Sequence, residues 1–503
     1  MAHATDWLQF GSDAAHGSYN SAERGYSTAT GNQLAFAPVT LPAVADSAPI
    51  FVGDVATGTG IRDLLLVATM DGSLLALNAA DGSLVWSQKP AGAGMVTTGS
   101  PAVEPGRQYV YAYGLDGKVH KYQLGDGTEV LATGWPQVST LKPDVEKGAS
   151  ALTIATTGGA ATYLYSVTNS YYDGGDYQGH LTSINLSTGV QAVFNAQCSD
   201  LTFHFVKNGI SSGSGQDDCQ QIASAKAGQT AGSGIWGRPG AVYDAGTNRV
   251  YVATGNGLFD PVDMLGNGID WGDSVLALNP DGSGSGVQGM PVDSYTPSTY
   301  VQLQDSDADL GSTSPAILPA PVGSNVAHLG LQGGKDGCVR LLNLDMLGGS
   351  AGAGHIGGEL QTVDLPGGNQ CAEGGNLGTF KAQAAVWVNP ADASTWVFVA
   401  HNAGIVAYQV VVTGSGNPAL SQVWTSSDSG TSPVVANATV YYVQSGVVRA
   451  LDAATGSAIW SDARIGGIHW QSPIVVNSRL YVTDEQAQLW VYQLDGIFRD
   501  NFR

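Results

Sequence analysis

Three stretches of the chain carry side chains whose types and spacing could do chemistry. Residues 303–315 read LQDSDADLGSTSP, with Asp305, Asp307 and Asp309 at alternate positions. In an extended segment these three project to one side, and carboxylates clustered in that way raise one another's pKa or bind a hard cation. Residues 333–342 read GGKDGCVRLL, and Lys335 is one of only 20 basic residues. After a Gly pair and before a strand, its ammonium could stabilise negative charge developing on a reacting oxygen. Residues 234–256, GIWGRPGAVYDAGTNRVYVATGN, offer a flat indole at Trp236 and, at Asn256, a neutral oxygen suited to Ca²⁺ or a lanthanide.

Other constellations are weaker. Gly255-Asn-Gly, Gly333-Gly and Gly357-Gly lack the strand-to-helix context of a phosphate cradle. Asp-Gly-Ser-Gly-Ser-Gly at 281–286 sits in a turn without the helix that a nucleophile elbow requires. Of nine histidines, His180, His204 and His469 could face a central channel, although a lone His in a strand is more often a hydrogen-bonded structural residue. The four cysteines form no C-x-x-C or His-rich zinc cluster. Cys198 with Cys219 and Cys338 with Cys371 bracket polar inserts. These two pairings are expected among the three connectivities possible, and both would staple long loops in an oxidising compartment.

The elements that position these residues are repeats. Residues 64–86 read LLLVATMDGSLLALNAADGSLVW, and residues 439–460 read TVYYVQSGVVRALDAATGSAIW. Each is strand, tight turn, strand, Gly turn, then a strand closing on Trp, with alternating apolar residues that mark half-buried strands. Weaker copies lie at 109–131, 162–194, 249–282, 327–345, 396–424 and 478–496. Eight units of about 55 residues account for nearly the whole chain, which predicts one all-β domain over 1–503, an eight-bladed propeller of four-stranded antiparallel blades. Insertions fall around 195–234 and 346–380. The last unit lacks a final strand, and the N-terminal stretch Gln33–Leu41 could supply it and close the ring. Trp86, Trp460 and Phe194 are expected as packing wedges between blades.

These repeats resemble the tryptophan-docking repeats of pyrroloquinoline quinone (PQQ) dehydrogenases from about residue 48 to 496. The resemblance implies that Trp236 forms the floor under the quinone and that Asn256 gives an amide oxygen to the metal. It further implies that Asp307 is the general base, Asp309 the extra carboxylate of lanthanide-using members, and Lys335 the cation on the quinone oxygens. The implied activity is PQQ- and metal-dependent oxidation of an alcohol, polyol or sugar, with electrons passed to a separate acceptor. Departures exist. The vicinal Cys pair is absent, Gly174 stands where the metal-binding Glu would fall with Asp173 and Asp176 nearby, and no Cys-x-x-Cys-His attaches haem. Scaffold propellers that assist outer-membrane assembly carry the same blades, so a non-catalytic binding or scaffold role is the alternative. A propeller enzyme of other chemistry using the same channel is a third.

Composition bounds the partners. A formal net charge of −22 argues against nucleic acid, because phosphate binding needs clustered Lys and Arg. No apolar run is long enough to span a bilayer. The opening MAHATDW lacks a charged and an apolar leader region, which reads as a mature export product restarted with Met or as a cytosolic protein. With the cysteines, a periplasmic or secreted location is expected.

Overall fold

The computed structural model describes residues 6–494 apart from 24–32, 133, 173–176, 201–231, 265–267, 367–370 and 372–378. Eight antiparallel blades follow one another in chain order around an axis. Blade 1 comprises Ile50–Thr57, Gly60–Ala68, Leu74–Asn78 and Leu84–Gln88, and blade 2 runs from Ala102–Val103 to Gln137–Val138. Blade 3 spans Thr153–Thr156 to Gln191–Asn195. Blade 4 spans Val242–Asp244 to Asp293–Tyr295, and blade 5 Ala316–Pro319 to Gln361–Asp364. Blade 6 runs from Ala385–Val388 to Pro418–Ser426, blade 7 from Val434–Ala436 to Ala458–Asp462, and blade 8 holds Ile474–Val476, Arg479–Thr483 and Gln488–Gln493.

The expected half-buried alternation is replaced in the inner strands by continuous burial. Leu64–Ala68 and Val440–Val443 are buried throughout, because each sheet is covered on both faces by its neighbours. The wedges act as expected. Trp86 donates its Nε1–H to the Leu124 carbonyl at 3.0 Å and lays its ring on Gly127 of blade 2, and Trp460 meets Tyr492 of blade 8. Phe194 is buried in the core of blades 3 and 4.

The ring closes as predicted. Gln33 and Leu34 pair with Gln493 and Tyr492, and Val39 and Thr40 with Leu489 and Gln488. This outer strand packs on the turn of blade 1 at Gly82 (φ +75°), where a Cβ would meet Val39 Cγ2 at 2.4 Å. Only glycine lets the closing strand approach so near.

The segment before it was not legible in the sequence. Residues 7–20 run along the innermost strands. Trp7 exchanges backbone bonds with Phe51 of blade 1, and the carbonyls of Leu8, Ala14, Gly17 and Ser18 accept from Val103, Tyr243, Val386 and Val435. Gln9 and Asn20 reach the backbone of Ile154 and Val475. The free edges that eight innermost strands present toward the axis are thereby largely paired from within the chain. His16 is fully buried there, with Nδ1 2.6 Å from the Phe10 carbonyl and Nε2 2.8 Å from Thr153 Oγ1.

Cys338 and Cys371 form the expected disulfide, their Cα atoms 5.5 Å apart. Cys219, the expected partner of Cys198, lies outside the described residues, as do His204, Asp173, Gly174 and Asp176.

Candidate functional site

In an antiparallel sheet the start of one strand and the end of the next lie at the same end. Trp236 precedes the first strand of blade 4 and Asn256 follows its second, Arg249–Ala253. Asp309 precedes the first strand of blade 5, and Lys335 follows its second, His328–Gly333. All four therefore come to one mouth of the ring, where they line a cavity of about 340 Å³ with Lys147, Asn169, Tyr177, Lys381 and Trp470.

The acidic stretch is not extended. Tyr300–Asp305 forms a short helix, Asp307 adopts φ +50°, and Asp309 leads into a 3-10 turn at Leu310–Ser312. The three carboxylates accordingly separate. Asp305 is solvent-exposed, the Asp307 side chain is 63% exposed at the rim, and the Asp309 side chain is 5% exposed at the base. The local pattern misled because Asp305 ends a helix, Asp307 is left-handed and Asp309 leads into a 3-10 turn, so no two-residue strand period runs through the three.

The Asp309 carboxylate is held from two sides. The backbone N–H of Asn256 donates to its Oδ1 at 2.6 Å, and Lys335 Nζ lies 2.5 Å from its Oδ2 and 3.0 Å from Asp307 Oδ1. Gly255 makes room, since a Cβ there would sit 2.7 Å from Asp309 Oδ1. Behind it, the buried Asp273 accepts the Leu310 N–H at 3.0 Å and so fixes the turn that carries Asp309. Burial raises the Asp309 pKa above the usual carboxylate range, against the opposing pull of Lys335. Burial also works against the Lys335 charge, but Asp309 and Asp307 outweigh it and hold the ammonium protonated beyond the ordinary lysine range. Lys335 Nζ stands 5.3 Å from the centroid of Trp236.

The remaining wall and the floor were missed by sequence reasoning. Trp470 meets Trp236 edge to face at 6.3 Å, and its signal was available: Trp236-Gly-Arg-Pro and Trp470-Gln-Ser-Pro occupy the same lead-in position of blades 4 and 8. Asp46 of blade 1 sets this loop, accepting the Trp470 N–H at 2.7 Å and pairing with His469 Nδ1 at 2.6 Å. Arg238 crosses the axis below, donating to the carbonyls of Ala149, Asp46 and Thr98 in blades 3, 1 and 2. With residues 7–20 lining the axis, Arg238 floors the mouth. His180 does not face the channel; its Nδ1 lies 2.8 Å from Asn195 Oδ1 in a buried pair.

The donors present suit a planar polyanionic quinone and a hard cation. Lys147, Lys335 and Lys381 converge on one cavity in a chain that has only 20 basic residues, and Trp236 offers an aromatic face among them. Among the described residues, Asn169 Oδ1 is buried without a hydrogen-bond partner on the wall of the cavity, and no hydrogen bond holds the Asn256 side-chain amide. With the Asp309 carboxylate these form an oxygen-only donor set, the kind that binds Ca²⁺ and similar ions.

Segments 25–193 and 407–497, together just over half of the chain, match the family model described as Outer membrane protein assembly factor BamB. No curated protein sequence matches. Among solved structures, the chain is similar to quinohemoprotein alcohol dehydrogenase ADHIIG from Pseudomonas putida HK5, with a TM-score of 0.63 and 15% identity over 98% of this chain and 80% of that one. It is similar to a europium-containing methanol dehydrogenase with a TM-score of 0.63 and 14% identity, over 97% and 98% of the two chains. A quinohemoprotein alcohol dehydrogenase from Comamonas testosteroni gives a TM-score of 0.61 and 14% identity over 98% and 80%. At such identities the likeness establishes a shared fold, not a shared reaction. On the family match and its eight-bladed ring, the chain belongs to the PQQ-like repeat (PQQ_2) family of β-propellers.

Proposed function

We propose that the protein is a PQQ- and metal-dependent dehydrogenase that oxidises a hydroxyl of an alcohol, polyol or sugar and passes the electrons to a separate acceptor, in the periplasm or outside the cell. One observation carries this reading: Trp236, Asn256, Asp309 and Lys335, which span 100 positions of sequence, line a single cavity.

When bound, the quinone supplies a two-electron acceptor for hydride and the metal a Lewis acid that polarises the hydroxyl. Trp236 gives the stacking face, and Asn256, with Asn169 and Asp309, would hold the ion. With Asp309 on the ion, Asp307 at the rim, 3.0 Å from Lys335, is the carboxylate left to take the hydroxyl proton. Lys335 contacts both carboxylates, so as Asp307 becomes protonated its ammonium keeps a partner in Asp309 and is free to balance charge on the quinone oxygens. Arg238 and the packed axis beneath keep bulk water from entering from below.

The test is to titrate the full chain with PQQ and Ca²⁺ or a lanthanide, following quinone absorbance and reduction of an artificial acceptor with a panel of alcohols. Saturable quinone binding with alcohol-dependent reduction is expected. Absence of quinone binding under every metal would overturn the reading and leave the scaffold role.

A further inference from the structure

A second cavity, of about 300 Å³, opens on the same mouth over blades 6, 7 and 8. It meets the first at a shared wall of Lys381 and Trp470. Each volume is at the lower end of the range of ligand sites, about 300–1,000 Å³, so neither alone is large. Side by side they form one elongated trough.

The chemistry of the second half differs from that of the first. The chain carries 42 acidic residues and a net charge of −22, yet no carboxylate lines this cavity among the described residues. Its polar groups are amides and hydroxyls with two imidazoles, and the Lys381 ammonium stands at the shared wall. Asn402 is exposed at the turn after Thr395–His401, and its side-chain amide has no hydrogen bond among the described residues. Gln444 is half-buried and makes only long contacts, 3.4 Å each, to Ser429 Oγ and Arg449. His401 is buried, and burial pulls its pKa down to about 4, so it is neutral near pH 7. Its Nδ1 accepts the Ala403 N–H at 3.3 Å, which puts the ring hydrogen on Nε2 as a donor. Trp470 stands at the inner end, braced by Arg238 at 5.6 Å and by His469 at 4.8 Å.

The Asn402 amide, a loosely held amide at Gln444, a neutral imidazole donor and a fixed indole, with Lys381 at the wall and no carboxylate among the described lining residues, disfavour cations and reward a ligand rich in hydroxyls with an apolar face. We propose that the second cavity binds a sugar ring, and that a saccharide extending past Trp470 and Lys381 brings its terminal hydroxyl to Asp307 at the rim of the first cavity. The oxidation half of this rests on the dehydrogenase reading above; the binding half does not.

The experiment is calorimetric titration of the full chain, without quinone, against maltose, cellobiose, sucrose, sorbitol and ethanol, with tryptophan fluorescence as a second readout. At least one disaccharide is expected to bind and to change the Trp470 emission, whereas ethanol does neither. Asn402→Ala, at an exposed turn, and Gln444→Ala, at the half-buried end of strand Thr439–Gln444, both checked for folding by circular dichroism, should each weaken disaccharide binding about tenfold, the loss of roughly one good hydrogen bond at 1.4 kcal/mol. Absence of binding by any disaccharide, or binding that both variants leave unchanged, would overturn the proposal. If a disaccharide binds but PQQ does not, the dehydrogenase reading falls and the sugar subsite stands. If PQQ binds and ethanol is oxidised while no saccharide binds, the subsite falls and the dehydrogenase stands.

Discussion

Replacing Lys335 by Met, which keeps the stem and removes the charge, tests whether the ammonium is the internal counter-charge of Asp309. The pair is 2.5 Å apart, with side chains 13% and 5% exposed, so little solvent screens it. Removing one partner of a buried pair costs about 3–5 kcal/mol. Lys381 on the same wall offers partial compensation, which places the loss near the lower end, about 3 kcal/mol. Unfolding entropy of about 2.1 cal/mol/K per residue gives roughly 1.1 kcal/mol/K for the whole chain, so the melting temperature should fall by about 3 °C at pH 7. The sign with pH follows from linkage. Burial already raises the folded pKa of Asp309, and loss of Lys335 raises it further. A group raised in the folded state contributes stability that is full below its unfolded pKa, about 3.9, and is lost as pH rises through the folded value. The deficit of Lys335→Met should therefore be small near pH 4 and full near pH 7. Thermal unfolding of wild type, Lys335→Met, Asp309→Asn and the double variant at both pH values measures the coupling. An equal shift at the two pH values, or additive single variants, would refute the account of the pair.

Trp236→Ala should weaken PQQ binding by about 10- to 30-fold, in keeping with about 1.5–2 kcal/mol for a lost stacking face, as read from quinone absorbance titration. Reduction of Cys338–Cys371, or Cys338→Ala with Cys371→Ala, opens a loop of 33 residues and should cost about 3–4 kcal/mol, seen as a lower unfolding midpoint in urea. His401 has its folded pKa lowered to about 4, so its contribution is present above its unfolded pKa of about 6.5 and is lost as pH falls toward 4; His401→Gln should flatten the stability profile across that window. Deleting residues 1–44 removes both the closing strand and the axial segment, and should abolish the cooperative unfolding transition rather than merely lower it.

The number of blades, their order and the closure of the ring were legible because they follow from local, repeating signals. A Gly turn, a strand of apolar residues and a Trp at a fixed offset recur along the chain, and a missing eighth outer strand points to Gln33–Leu41. Trp236, Asn256, Asp309 and Lys335 became candidates by another route, the resemblance of their segments to those of PQQ dehydrogenases, and the repeats alone did not single them out. Spacing cannot show which side chains are turned inward or what crosses the axis. Asp307 and Asp309 are two positions apart yet differ from exposed to buried, because Asp307 itself is left-handed and Asp309 leads into a 3-10 turn. Arg238, Asp46, Trp470 and the segment at 7–20 find their partners tens to hundreds of positions away. Those contacts exist only once eight sheets are arranged around one axis, which is why the tertiary structure alone decided the floor, the walls and the second half of the site.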